Sequence, residues 1–190
     1  MPVATESALT GFTANVLDVL GDARDADQAL READLLRRVV AGSGSLFSIQ
    51  QNVTTRADPA DQIRLRRFHS SQAERFPVRG AKCKTLTPWT ECLFLHGRVF
   101  VGEGVEVLAR TFDDFEQMRP YGIQSVVNVP LMRGRLCYAT FNVFGTRMQW
   151  LPQEVLGIRL LALAVARWVP VAPGLDYRFT GASLTCPMEA

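Results

Sequence analysis

The chain predicts an α+β fold: a central antiparallel sheet with N- and C-terminal helices on one face and an irregular lid segment on the other. Three observations predict it. Two runs of strand-forming residues, Gly122–Leu131 and Tyr138–Phe144, are separated only by a short turn at Arg133-Gly134. Helical periodicity frames the chain at both ends. Between these lie a second pair of strand-like runs and a middle stretch with short helix signals and little regular pattern.

Taken in order, residues 1–24 place Leu9, Phe12, Val16, Leu17 and Leu20 on one helical face, and Gly21-Asp22 ends the pattern. A second helix is expected from Ala26 to Ala41. Leu30, Leu35, Leu36 and Val39 form its apolar side, Arg31, Glu32, Arg37 and Arg38 its exposed side, and Gly42-Ser43-Gly44 its stop. Leu46–Val53 and Gln62–Phe68 read as paired strands across the turn Asp58-Pro59-Ala60-Asp61. Ser70–Lys84 reads as a loop punctuated by Pro77 and Gly80. Thr87 before Pro88 is an N-cap followed by proline at the first helical position, opening a short helix that stops at Gly97. Val99–Val101 suits a short strand. Thr111-Phe112-Asp113-Asp114 suits a capping box for a helix ending near Gly122. Pro152 opens a last helix, apolar nearly all round, that reaches Val169; the Pro- and Gly-rich tail beyond Pro170 is expected to be poorly ordered. These breaks divide the chain into N-terminal helices (1–41), a domain (42–170) and a tail (171–190).

The central hairpin has two unlike faces, because strand side chains alternate. Val127, Val129 and Leu131 share one side with Cys137, Ala139, Phe141 and Val143 of the next strand, and that side suits a core. Asn128, Tyr138, Thr140 and Asn142 lie on the other. The string G-I-x-S-V-x-N-V-P-L at Gly122–Leu131, with A-T-F-N-V-F at Ala139–Phe144, resembles the central hairpin of a GAF domain, a small-molecule-sensing fold of profilin-like type. Lys84–Thr90 and Phe112-Asp113-Asp114 also suit stand-alone bacterial GAF proteins, and the resemblance spans Ala41 to Val169. One departure is Ala139, where the family usually has glycine.

The resemblance implies a non-enzymatic sensory or regulatory module that takes an unidentified small organic ligand. The polar floor would be Asn128, Tyr138, Thr140 and Asn142, which supply amide and hydroxyl donors and acceptors. The lid would be Trp89, Phe94, Phe112 and Phe115. The competing structural reading is that the asparagines hold backbone in place and the aromatics fill a second core. The resemblance also implies a homodimer through the N- and C-terminal helices, signalling through a partner. A ligand-free interaction scaffold is one alternative. Another is the GAF-fold enzyme that reduces free methionine-R-sulfoxide, with Cys83 and Cys92 resembling its first two cysteines; the family's further cysteine has no counterpart in Arg119–Ile123.

Composition narrows the remaining classes. The chain has 190 residues and 47% hydrophobic content, enough for one domain with a real core. A formal net charge of +2 gives no case for nucleic acid. The most apolar stretch, Val155–Val169, is short and interrupted by Arg159 and Arg167, so no membrane partner is expected. Glu6 comes early and no secretory pattern is visible, so a cytoplasmic location is expected. Cys83, Cys92, Cys137 and Cys186 are irregularly spaced and read as free thiols. His69 and His96 lack ligand spacing, so no metal is expected. No nucleophile elbow or phosphate-binding loop appears, and no catalytic residue or cofactor is assigned. Asp113 and Asp114 read as helix-start residues. Arg64, Arg66 and Arg67 read as the charged dressing of an edge strand.

Overall fold

The computed structural model describes residue 16 and residues 18–181. It is an α+β structure built on a six-stranded sheet of order β3-β2-β1-β6-β5-β4. The strands are β1 (Leu46–Asn52), β2 (Gln62–Ser70), β3 (Ala81–Thr85), β4 (Phe100–Glu103), β5 (Ser125–Arg133) and β6 (Leu136–Gly145). The chain groups into two compact units. The first holds the described residues up to Phe47 with Gly102–Val127 and Val143–Pro170. The second holds Ser48–Val101, Asn128–Asn142 and the described residues from Val171.

In the first unit, α1 (Ala26–Ala41) has the expected bounds. Asp25 caps it by accepting the Gln28 amide at 2.7 Å, and Gly42 ends it at a φ of 84°, a conformation that favours glycine. Its faces differ from the sequence reading. Arg37 is buried: Nη1 donates to the Ser45 carbonyl at 2.7 Å and Nη2 to Asp34 Oδ1 at 2.5 Å. Burial lowers the Arg37 pKa, and Asp34 works against that shift. Leu35 and Val39 are instead exposed. The reason is that Ala29, Leu30 and Ala33 set the inward stripe, and Arg37 continues it four residues on. Most of the first expected helix lies outside the described residues; its described part is helical as far as Gly21.

Also in this unit, α5 (Pro152–Val165) packs on α1 and buries Gly157, Ile158, Leu161, Ala162 and Val165. That is one stripe rather than the several buried sides expected, and Leu156 and Leu163 face out. The helix α3 (Val105–Thr111) falls where the sequence reading placed no element. Thr111 therefore ends a helix instead of opening one, and its hydroxyl donates back to the Val107 carbonyl at 2.7 Å. The next helix, α4 (Phe115–Met118), starts at Asp114 without a side-chain cap and tightens into a 3-10 turn over Arg119–Tyr121 before Gly122. No helix among the described residues is long and apolar enough to cross a membrane.

In the second unit, β2 pairs antiparallel with β1 and with β3. The strand β3 falls where a loop was expected, so β2 is not an edge. Its arginines have specific partners: Arg64 pairs with Asp58, Arg66 donates to Gln51 Oε1 at 2.5 Å, and the Arg67 guanidinium lies 5.6 Å from the Phe76 ring centre. The helix α2 (Pro88–Thr90) starts at the expected Thr87 cap and runs directly into a π-turn, Glu91–Leu95. Within β5 and β6, both alternating sets of side chains are buried over Ser125–Leu131 and Cys137–Val143. Residues 171–181, expected to be loose, are tied down. The Asp176 amide donates to the Thr54 carbonyl at 3.0 Å, and Asp61 accepts the Thr180 amide at 2.7 Å and its hydroxyl at 2.6 Å. Those bonds hold the Asp61 carboxyl below its ordinary pKa, the Thr180 hydroxyl contributing most.

Gly145, the last residue of β6, leaves room that a side chain would fill. A Cβ there would sit 2.7 Å from both Ser125 Oγ and Trp150 Cζ2, and the buried indole cannot step aside. Gly145→Ala is expected to destabilise the protein by about 1–3 kcal/mol through overpacking, read as a lowered urea midpoint with an unchanged slope.

Candidate functional site

The polar face of the β5–β6 hairpin is a ladder of side-chain hydrogen bonds inside the second unit. The Trp89 indole N–H donates to Asn128 Oδ1 at 2.9 Å. The Asn128 amide donates to Asn142 Oδ1 at 2.7 Å, and the Asn142 amide donates to the Thr140 carbonyl at 3.2 Å. Every rung is buried. Trp89 is held there by its helix start: Thr87 and Thr90 cap one another, and Pro88 presets the first turn. The π-turn that follows bonds the His96 amide to the Glu91 carbonyl at 2.9 Å. It carries Phe94, whose ring meets Trp89 edge-on with centroids 6.0 Å apart.

The ladder accounts for both asparagines and the indole. One group stands apart. Thr140 Oγ1 is fully buried and has no hydrogen-bond partner among the described residues. Leaving a hydroxyl so costs about 1–3 kcal/mol. Tyr138 is buried beside it in sequence, and burial pushes its phenol pKa up. Phe112 and Phe115, the other two expected lid residues, are buried but belong to the first unit.

Two residues that sequence reading passed over help to build the site. Asn52, at the end of β1, donates its amide to the Cys137 carbonyl at 3.1 Å and accepts from the Thr54 amide and hydroxyl at 3.1 and 2.5 Å. The available signal was an asparagine at a strand end before a turn, a place where its side chain bonds backbone two residues on. Tyr177 lies in the tail. Its hydroxyl accepts the Cys137 amide at 2.8 Å and donates to the Phe94 carbonyl at 2.9 Å, and its ring stands edge-on to Phe94 at 6.1 Å. Burial pushes its phenol pKa up. The aromatic pair Tyr177 and Phe179 in an otherwise polar tail was the only signal.

The cysteines are dispersed in role. Cys83 is exposed on β3, and Cys137 is fully buried with its thiol pKa raised by desolvation. The Cys92 thiol faces the Arg98 and Val99 carbonyls at 3.6 and 3.7 Å. Cys186 lies outside the described residues.

Tyr177→Phe removes one acceptor and one donor, stranding the Cys137 N–H and the Phe94 C=O. A loss of about 1–3 kcal/mol is expected, together with faster amide exchange at Cys137, measured by denaturation and hydrogen exchange.

No protein-family model and no curated protein matches the chain. Solved structures do resemble it. A GAF domain from a phosphoenolpyruvate-protein phosphotransferase of Coxiella burnetii superposes with a TM-score of 0.61 at 8% identity, covering 84% of this chain and 90% of that one. The chromophore-binding domain of the bacteriophytochrome RpBphP3 from R. palustris gives 0.57 at 12% identity, covering 85% and 61%. The GAF domain of the cyanobacteriochrome TePixJ gives 0.55 at 17% identity, covering 78% and 91%. Identities this low speak for the fold alone. The chain has a GAF-like fold.

Proposed function

We propose that this chain is a non-enzymatic sensory module that binds a small organic ligand on the polar face of the β5–β6 hairpin. The ligand would change how the module associates with itself or with a partner, through unequal affinity for two states. The observation that carries the reading is the buried polar ladder in an otherwise apolar enclosure, with the Thr140 hydroxyl unpartnered at its end. The chromophore-binding domain among the structures of like fold supports the same class of role.

The ladder also constrains the ligand. Entry would displace the Trp89 indole from Asn128, and Asn128 Oδ1 would then need a new donor. The ligand therefore carries at least one N–H or O–H group and an apolar or aromatic body to take the place of the indole ring. Free Cys83, Cys92 and Cys137 suit the reducing conditions of a cytoplasmic protein.

Thermal-shift screening with nucleotides, amino acids and aromatic acids tests this. A true ligand at about 100 times its Kd stabilises by about 2.7 kcal/mol. Its affinity in calorimetry is expected to fall about tenfold or more in Thr140→Val and in Asn142→Ala. If no compound shifts the midpoint and those variants alter stability alone, the ligand-free scaffold is the better description.

The dimer rests on a separate observation. Leu35 and Val39 share a face of α1, Leu156 and Leu163 share a face of α5, and all four are exposed on helices that pack together. The paired substitution Val39→Glu with Leu163→Glu is expected to convert a dimer to a monomer in light scattering without lowering the urea midpoint. A wild-type chain that is monomeric at high concentration ends this part of the proposal.

A further inference from the structure

The tip of the β5–β6 hairpin and the C-terminal segment form a concavity, apart from the polar ladder and unlike it in chemistry. Its volume is about 370 Å³, and it is lined by Arg133, Leu136, Val171, Ala172, Gly174 and Leu175. That volume lies within the range of small-molecule sites. Among the described residues no carboxylate lines it. Four of the six residues are apolar, and the single charge is the Arg133 guanidinium. Arg133 has no ion pair or hydrogen bond with its side chain among the described residues, whereas Arg37, Arg56, Arg64 and Arg66 all have partners.

The walls are fixed at several points. Next to Leu136, the Cys137 amide donates to the Tyr177 hydroxyl. Next to Leu175, the Asp176 amide donates to the Thr54 carbonyl, and the Leu175 amide itself donates to the Ala172 carbonyl at 3.3 Å. Gly174 turns the chain at a φ of 69° with open space where a side chain would stand. The turn therefore keeps the mouth of the concavity clear as well as shaping its wall. Leu136 is left 37% exposed at this mouth, so an apolar guest would cover surface that is now wet.

We propose that this concavity is a binding site for a small organic monocarboxylate with a compact apolar body. The carboxylate would pair with Arg133, which presents a planar fork of donors suited to two parallel hydrogen bonds. The apolar body would lie against Leu136, Val171, Ala172 and Leu175. A cation is disfavoured by the guanidinium, and a neutral apolar guest would leave it unused. The proposal stands on residues outside the polar ladder and does not depend on the function proposed above.

The test is a titration of the full-length, isotope-labelled protein with isocaproate, followed by amide chemical shifts, with isocaproamide as the uncharged control. Saturable shifts are expected at Leu136, Gly174 and Leu175. Affinity is expected to fall at least about tenfold for the amide and for Arg133→Met, the loss of one charge-assisted pair. Arg133 is exposed, so that variant keeps the fold. Leu175→Asp is expected to abolish the shifts. Failure of isocaproate to saturate overturns the site. So does equal binding of the amide, undiminished binding by Arg133→Met, or shifts centred on Asn128 and Asn142.

Discussion

Water is kept from both sides of the β5–β6 hairpin, and the consequences of that burial run through the second unit. A buried amide or hydroxyl that loses its water must find a partner within the protein or cost free energy on the scale of a whole hydrogen bond. Asn128 and Asn142 sit in the middle of this hairpin. Asn128 donates to Asn142, Asn142 donates to the Thr140 carbonyl, and the acceptor on Asn128 takes an indole N–H from a different segment. The position of α2, the Thr87 cap and the π-turn behind it can all be read as the means of delivering one N–H to one oxygen.

The same logic explains the tail. The edge of β6 near Cys137 offers an amide, and the π-turn offers the Phe94 carbonyl. A single phenol answers both. Tyr177 thus joins the hairpin to the aromatic pair over it, and the Asp61 clasp on Thr180 secures the chain beyond. A segment rich in Pro and Gly is ordered here because its few polar and aromatic groups each meet a specific partner. Regular secondary structure is not needed for that. The concavity beside Arg133 is a by-product of the same anchoring, since the strap is pinned on both sides of the open stretch.

Set beside these closed arrangements, the groups left open stand out. Among the described residues Thr140 Oγ1 lacks a partner in the buried ladder, the Arg133 side chain lacks one at the mouth of the concavity, and four apolar side chains on α1 and α5 face outward. These are the groups on which the proposals above rest: a small molecule for the first two, and a protein surface for the last.

Local signals determined a good part of the fold from the sequence alone. The bounds of α1, the β1–β2 pair, the Thr87-Pro88 start and the hairpin were legible, because caps, turns and alternation act over a few neighbouring residues. The identity of the polar face was legible for the same reason. Other features were decided only by the tertiary structure. Ala81–Thr85 has little strand character of its own and becomes β3 by pairing with β2. Arg37 is buried because Ser45 and Asp34 receive it. Trp89 meets Asn128 across 39 residues and Tyr177 meets Cys137 across 40. Such partners are brought together by the path of the whole chain, and no neighbouring residue carries a sign of them.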